Sequence, residues 1–187
     1  MNHWKLTLPA KKQAFAQLRA GDRVLLSGTF ITARDEAHQR LYDLALEGKP
    51  WPIDVAGELI YYVGPSPGFG AFAVGAAGPT TSSRMDSFTP LMLERGAAAT
   101  MGKGYRGPQV KDAMLRHGAV YFVAIGGVGA LLGSRIVRRE VIAYEDLGPE
   151  AIARVWVEEF PAFVAFDVLG NDIYAQQDEW RQTKSKG

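Results

Sequence analysis

The sequence predicts an α/β protein built as a single domain around a mixed sheet. Strand-like apolar stretches alternate with helix-like stretches as far as about residue 125, and the pattern is mostly β after that. The length of 187 residues suits one domain with a substantial core, one that buries roughly 70% of the surface its unfolded chain exposes. No internal repeat and no linker-like run divides the chain.

The elements follow in order. Residues 11–20 read as a short helix ended by Gly21-Asp22, and 23–31 (RVLLSGTFI) as a strand rich in aliphatic and β-branched residues. Thr32, three residues before Asp35, resembles a capping box with a shorter acid. A helix is then expected over 33–47, with Ala37, Leu41, Leu44 and Ala45 on one face and Gly48 and Pro50 ending it. Strands are expected at 58–63 and 71–76, on either side of a turn-rich segment. Residues 78–86 (GPTTSSRMD) are small and polar, hence a loop, with Asp86 or Ser87 capping a helix over 88–95 that Gly96 stops.

Residues 97–101 read as a short buried strand and 102–107 (GKGYRG) as a second Gly-rich loop. Pro108 suits the first position of a helix to His117, with Gly118 just past its end. Residues 119–125 read as a strand, 126–133 as a third Gly-rich segment, and 136–144 and 154–160 as further strands. Segments 163–168 and 172–175 flank Gly170-Asn171, which reads as a hairpin turn. The polar run 176–187 reads as a flexible tail.

Composition excludes several functions. The chain has no Cys, so it offers no disulfide, thiolate nucleophile or thiolate-held cluster. Three His make a histidine metal site difficult to assemble, so no metal site is assigned to this chain. With 21 basic against 20 acidic residues there is no overall basic field to attract nucleic acid. The N-terminus lacks the apolar core of a signal peptide. The most apolar run, 119–133, has 15 residues and four glycines, short of the roughly 20 a membrane helix needs. A cytoplasmic location without membrane contact is the resulting expectation. Glycine is in excess, 21 of 187 residues or about 11% against roughly 7% in ordinary proteins.

Three loops follow strands and precede helices, at 32–38, 78–86 and 102–107, and each carries a cation: Arg34, Arg84 and Lys103. Ligands of open α/β sheets bind beyond the carboxyl ends of strands. Two Arg forks and a Lys converging there would suit a small dianion, with Thr80, Thr81 and the neighbouring serines adding hydroxyls. Taken singly, each feature has a plainer explanation. An Arg near a helix start is commonly just solvated, and a Ser/Thr cluster commonly makes turns and caps. GKG lacks the spacing of a nucleotide-binding phosphate loop, and Gly127, Gly129 and Gly133 miss the dinucleotide fingerprint. His38, one helical turn after Arg34, reads first as a buried, satisfied histidine, and His117 as a partner of its helix dipole.

Together, SGTFITARDEAH (27–38), GPTTSSRMDSF (78–88), MGKGYRGPQV (101–110) and VEEFPAFVAFDVLGNDIY (157–174) resemble the carboxy-terminal domain, or separate β subunit, of class I fumarate hydratases and the related L-tartrate dehydratases. GPTTSSRMD is the most specific piece, and the resemblance runs from about Gly21 to Tyr174. It implies a β/β/α fold of the swivelling type. It also implies an iron–sulfur hydro-lyase whose [4Fe–4S] cluster lies on a partner α subunit and not on this chain. Arg34, Arg84 and Lys103 would hold the dicarboxylate, and Thr80 would assist proton transfer with an acidic residue of the partner. Asp35 would orient Arg34, with His38 and Thr81 in support. A homodimer or α2β2 assembly is implied. Ala33 stands where the family pattern carries Gly. Asp86 after Met85, and the GNDIY ending, favour fumarate as substrate over tartrate. A non-catalytic dicarboxylate-binding module is the alternative of a different class.

Overall fold

The computed structural model describes residues 1–175, so the expected tail at 176–187 lies outside the described residues. Its elements are β1 (His3–Leu8), α1 (Lys12–Ala16), β2 (Arg23–Thr32), α2 (Asp35–Leu46), β3 (Leu59–Tyr61), α3 (Thr89–Glu94), β4 (Ala99–Gly102), α4 (Pro108–His117), β5 (Val120–Val123), α5 (Gly129–Ser134), β6 (Ile136–Ala143) and β7 (Ile152–Phe166). Short 3₁₀ turns occupy Ser82–Met85 and Glu145–Glu150.

The α/β class and the mixed sheet are as the sequence predicts. The strands run β1-β2-β3-β4-β5-β7-β6, and β7 also pairs back onto β2. The pairings β1–β2, β2–β3, β3–β4 and β4–β5 are parallel, while β7 is antiparallel to β2, β5 and β6. Strands β2, β3, β4, β5 and β7 therefore close on themselves as a partial barrel, with β1 hung on β2 and β6 on β7.

Alternation along the strands builds two cores. Val24, Leu26, Leu59, Tyr61, Val120 and Phe122 belong to one buried cluster, and Ile31, Ile60, Tyr62 and Tyr121 to the other. The second cluster also contains Ala37 and Leu41 of α2, Met92 of α3 and Val110 and Met114 of α4. Strands covered on both faces read as nearly continuous apolar runs, which made β3, β4 and β5 legible. In the first cluster Phe30, Tyr61 and Phe160 meet edge to face at centroid separations of 5.5–5.8 Å. Each such pair adds about 0.5–1.5 kcal/mol beyond area burial. Gly118 ends α4 in the left-handed conformation at φ 62°, and Pro108 opens it, as expected.

Several expectations are corrected. Residues 3–8, not read as a strand, form β1, whose polar residues alternate with Trp4, Leu6 and Leu8. Its parallel register sets Leu8 beside Gly28. Gly28 has φ +101°, and a Cβ there would fall 2.1 Å from the Leu8 carbonyl oxygen, so only glycine lets the two strands meet. Residues 71–76 are not a strand: the segment carries one isolated antiparallel bridge, Pro67 to Val74. Residues 126–133 run into α5 and are not loop throughout.

The separate strands expected at 154–160 and 163–168 are one 15-residue strand, β7. It bends at Glu159, whose φ is +48°, where its register against β2 shifts between Leu26 and Gly28. Pro161 is tolerated because it pairs only with Leu25 of β2, beyond the last β6 pair at Val157 and before the first β5 pair at Phe163. The hairpin at 170–171 reduces to a turn with a single bridge, Phe166 to Asp172. Thr32 makes no capping box: its hydroxyl donates to the Ala153 carbonyl at 3.3 Å, and Arg34 occupies the N-cap position without a side-chain cap. Nor does Asp86 or Ser87 cap α3, whose N-cap is Phe88. No described helix is long and apolar enough to cross a membrane.

Candidate active site

Four parallel strands, β2 to β5, end on one side of the partial barrel, and the three predicted loops leave from there. Arg34 sits at the N-cap of α2, and Asp35 is that helix's first residue. Arg84 lies in the 3₁₀ turn after the loop that follows β3. Asp35 joins them. Its Oδ2 accepts from Arg34 Nε at 3.1 Å and its Oδ1 from Arg84 Nε at 2.8 Å. Glu150, which the sequence did not suggest, adds a carboxylate 3.4 Å from Arg34 Nε.

The arrangement has a chemical consequence. Both guanidiniums spend their Nε edge on Asp35, and no Nη of either has a hydrogen-bond partner among the described residues. The terminal Nη pairs remain free to grip carboxylates end-on. Burial pushes the Asp35 carboxyl up. Its own backbone N–H, the Arg34 bond and the charges of Arg84 and Arg34 outweigh burial and leave it below its ordinary value. Arg34, Asp35, Gly64 and Glu150 line a cleft of about 440 Å³. At Gly64 a Cβ would stand 3.2 Å from Arg34 Cδ and Nη1, so glycine makes room for the Arg34 side chain.

The second group is Thr80, Thr81 and Lys103. Thr80 N–H donates to the Tyr62 carbonyl at 2.8 Å, and its carbonyl accepts from Lys103 N–H at 3.1 Å. Thr81 and Lys103 form a parallel bridge, which extends the β3–β4 edge outward. Lys103 is exposed, and no carboxylate pairs with it among the described residues. The loops from β3 and β4 approach closely at Gly102. A Cβ there would lie 2.0 Å from Ser82 Oγ and 3.0 Å from the Thr80 carbonyl oxygen. The 3₁₀ turn Ser82–Met85 connects this hydroxyl-and-lysine group to Arg84 and so to Asp35. No ion pair links Lys103 to the Asp35 cluster among the described residues.

A buried polar network holds the loops, and sequence reasoning missed its hub. The Arg106 side chain is 1% exposed and its Nε donates to Asp86 Oδ1 at 2.7 Å. Its Nη atoms reach the hydroxyls of Tyr62, Thr100 and Thr89. The guanidinium also lies over the Tyr62 and Tyr121 rings, 5.2 and 5.3 Å from their centroids. Asp86 Oδ2 accepts from Gly107 N–H at 2.7 Å. Tyr121 OH lies 2.8 Å from Ser82 Oγ and 2.6 Å from the Gly104 carbonyl oxygen. The 78–86 and 102–107 loops are thus pinned to each other from beneath. The one signal in the sequence was an Arg beside the Gly-Pro that opens α4, and nothing local ties it to Asp86.

His38 lies buried under Arg34. Its Nδ1 is 2.8 Å from the Arg34 carbonyl, which can only accept, so Nδ1 carries the proton. Nε2 is buried without a partner. The ring packs at 5.5 Å from Tyr62 and 6.0 Å from Phe88. Burial, helped by the nearby Arg106 charge and opposed by the Arg34 bond, pushes its pKa down to about 4. An unfolded His titrates near 6.5. The His38 contribution to stability is therefore full above about pH 6.5 and is lost as pH falls through about 4. The urea midpoint is expected to fall between pH 7 and pH 4.5, and His38→Gln is expected to flatten that fall. Parallel slopes for the two proteins would contradict it.

Among the described residues no group of three or more His, Cys, Asp or Glu could hold a metal ion. With no Cys in the chain either, these residues do not fit an iron–sulfur cluster.

Comparison with known proteins gives a consistent set of matches. The family described as "Fumarase C-terminus" matches residues 2–177. Fumarate hydratase 2 of Leishmania major is 40% identical over 167 residues, which make up 88% of this chain and 29% of that protein. The anaerobic class I fumarate hydratase of Escherichia coli (strain K12) is 41% identical over 170 residues, 88% of this chain and 31% of that protein. The L(+)-tartrate dehydratase subunit beta of the same strain is 32% identical over 176 residues, 91% of this chain and 86% of that protein. The chain thus spans about three-tenths of the length of the fumarate hydratases it matches.

Proposed function

Since the chain belongs to the fumarase C-terminus family, we propose that it is the β subunit of a two-subunit class I fumarate hydratase, interconverting fumarate and malate. The observation that supports this is the Arg34–Asp35–Arg84 cluster, two guanidiniums fixed by one carboxylate with their Nη groups unpaired among the described residues. A separate beta subunit of nearly this length exists among the relatives, the tartrate dehydratase of Escherichia coli. Its length favours L-tartrate as the second substrate candidate, whereas the higher identities fall on fumarate hydratases.

In this proposal the chain acts as one domain over 1–187, in the cytoplasm, within a homodimer or an α2β2 assembly. The [4Fe–4S] cluster, which supplies Lewis-acid chemistry when bound, is held by the partner α subunit, because this chain has no thiolate to offer. Arg34 and Arg84 bind the two carboxylates of the substrate. Lys103 offsets the negative charge that develops when a proton leaves the carbon beside a carboxylate. The Thr80 hydroxyl stands at that carbon and passes the proton. A threonine hydroxyl is a weak base, so it works with a carboxylate of the partner. Asp35 and His38 hold Arg34 in place, and Thr81 supports the Lys103 backbone.

The test is reconstitution. The isolated chain is expected to give no hydration of fumarate, and mixing with the iron-loaded α subunit to restore it, followed by fumarate's ultraviolet absorbance. kcat/KM for fumarate, malate, L-tartrate and mesaconate on the pair then identifies the substrate. Full-rate hydration by the isolated chain would overturn the two-subunit proposal. Dicarboxylate binding by the chain, with no turnover alongside any α subunit, would leave the non-catalytic module.

A further inference from the structure

Away from the cationic loops, Arg139 on β6 has no ion-pair partner among the described residues. Among the described residues its guanidinium makes one long hydrogen bond, Nη2 to the Gly148 carbonyl at 3.5 Å, and its Nε is buried with no partner. Burial holds its pKa below the ordinary arginine value. It borders a cavity of about 360 Å³ together with Pro65, Pro67, Val74 and Val141. Glu145 also lines this cavity without pairing with Arg139, and so leaves a hydrogen-bond acceptor there.

A second hollow, of about 230 Å³, shares Ser66, Pro67 and Val74 with the first and is bounded by Phe69, Phe72 and Ala130. The two phenylalanine rings lie 5.4 Å apart, tilted by 50°, yet are 70% and 50% exposed. The two hollows adjoin at Ser66, Pro67 and Val74 along the 65–76 loop. Pro149 borders both the Arg139 cavity and the Arg34 cleft, so the hollows lie beside the candidate active site.

We infer that these two adjoining hollows seat a segment of the partner α subunit, one that lays a large apolar side chain on Phe69 and Phe72 and sets an Asp or Glu carboxylate on Arg139. The inference rests on the two-subunit proposal above. Charge complementarity selects the occupant. A half-buried guanidinium whose Nε is buried and unpaired calls for a carboxylate, and two exposed phenylalanines at the adjoining hollow call for an apolar anchor. A free small anion would use only the first of these. The fumarate hydratase relatives extend well beyond this chain, which spans 29–31% of their length. A partner that completes the candidate site would approach at the Arg34 cleft, and the Arg139 cavity borders that cleft at Pro149.

Calorimetric titration of the wild-type chain with the iron-loaded α subunit, against Arg139→Gln and Phe72→Ser, tests this. Each substitution is expected to weaken the complex by about 30-fold or more, as loss of a central interface anchor does. Circular dichroism should show both variants folded. If one is not, hydrogen exchange on the wild-type pair decides: amides of 65–76 and 138–141 are expected to gain protection on complex formation. Wild-type affinity in both variants, or protection confined to other segments, overturns the inference and leaves the two-subunit proposal standing if mixing still gives activity. Absence of binding by the wild-type chain removes both. If Arg139→Gln abolishes malate binding by the isolated chain and leaves the partner affinity unchanged, the cavity is a small-anion site and the inference is wrong.

Discussion

Arg106→Met is expected to destabilise the chain by about 3–5 kcal/mol, read as a lower urea midpoint at unchanged m. The side chain of Arg106 is 1% exposed and that of Asp86 12%, and they pair at 2.7 Å. Removing the guanidinium leaves the Asp86 carboxylate, with Gly107 N–H as its remaining partner, facing three hydroxyls that have also lost a donor. Removing one member of a buried pair costs far more than removing both. Arg106→Met with Asp86→Leu is therefore expected to recover much of the loss. Arg106→Lys should fall between, since an ammonium cannot serve Asp86, Thr89 and Tyr62 from one plane. A loss below about 1 kcal/mol for Arg106→Met would mean that the network adds little to the fold.

Arg84→Ala in the reconstituted enzyme is expected to lower kcat/KM for fumarate by about 10²–10³-fold. Arg84 is half exposed in this chain, and its one carboxylate partner is Asp35, at 2.8 Å. It contributes little to stability, so the urea midpoint should hardly move. Arg84→Lys keeps the charge and loses the fork, and should raise KM more than it lowers kcat. Asp35→Asn removes the charge that fixes both guanidiniums, so it should reduce kcat/KM by about tenfold without contacting substrate. An Arg84→Ala enzyme within twofold of wild type in kcat/KM would remove Arg84 from the substrate site.

Much of the architecture was legible because both faces of its central strands are covered. Runs such as 119–125, and the Pro108-to-Gly118 helix, carry their signals locally. What escaped was whatever depends on a distant partner. β1 is stabilised by its parallel register with β2 and the close approach at Gly28. β7 stays one strand through Pro161 because it changes neighbours there, from β6 to β5. In the candidate site, the chemistry-bearing residues stood out as cations and hydroxyls in Gly-rich loops. Their organisation did not: Asp35 binds two arginines where the sequence suggested one, and Glu150 comes from a turn 114 residues away from Glu36, whose N–H it accepts.

By itself the sequence determined the α/β class, the residue types gathered for a small dianion, and the absence of any thiolate in this chain. These are local or compositional properties, written in single segments. Tertiary structure alone decided which edge of each guanidinium is spent and which is free. It alone placed Arg106 beneath two loops and left Arg139 without an ion-pair partner among the described residues. Hydrogen-bond direction and desolvation depend on which groups meet across the closed sheet, and Asp86 and Arg106, 20 positions apart in the chain, carry no local trace of that meeting.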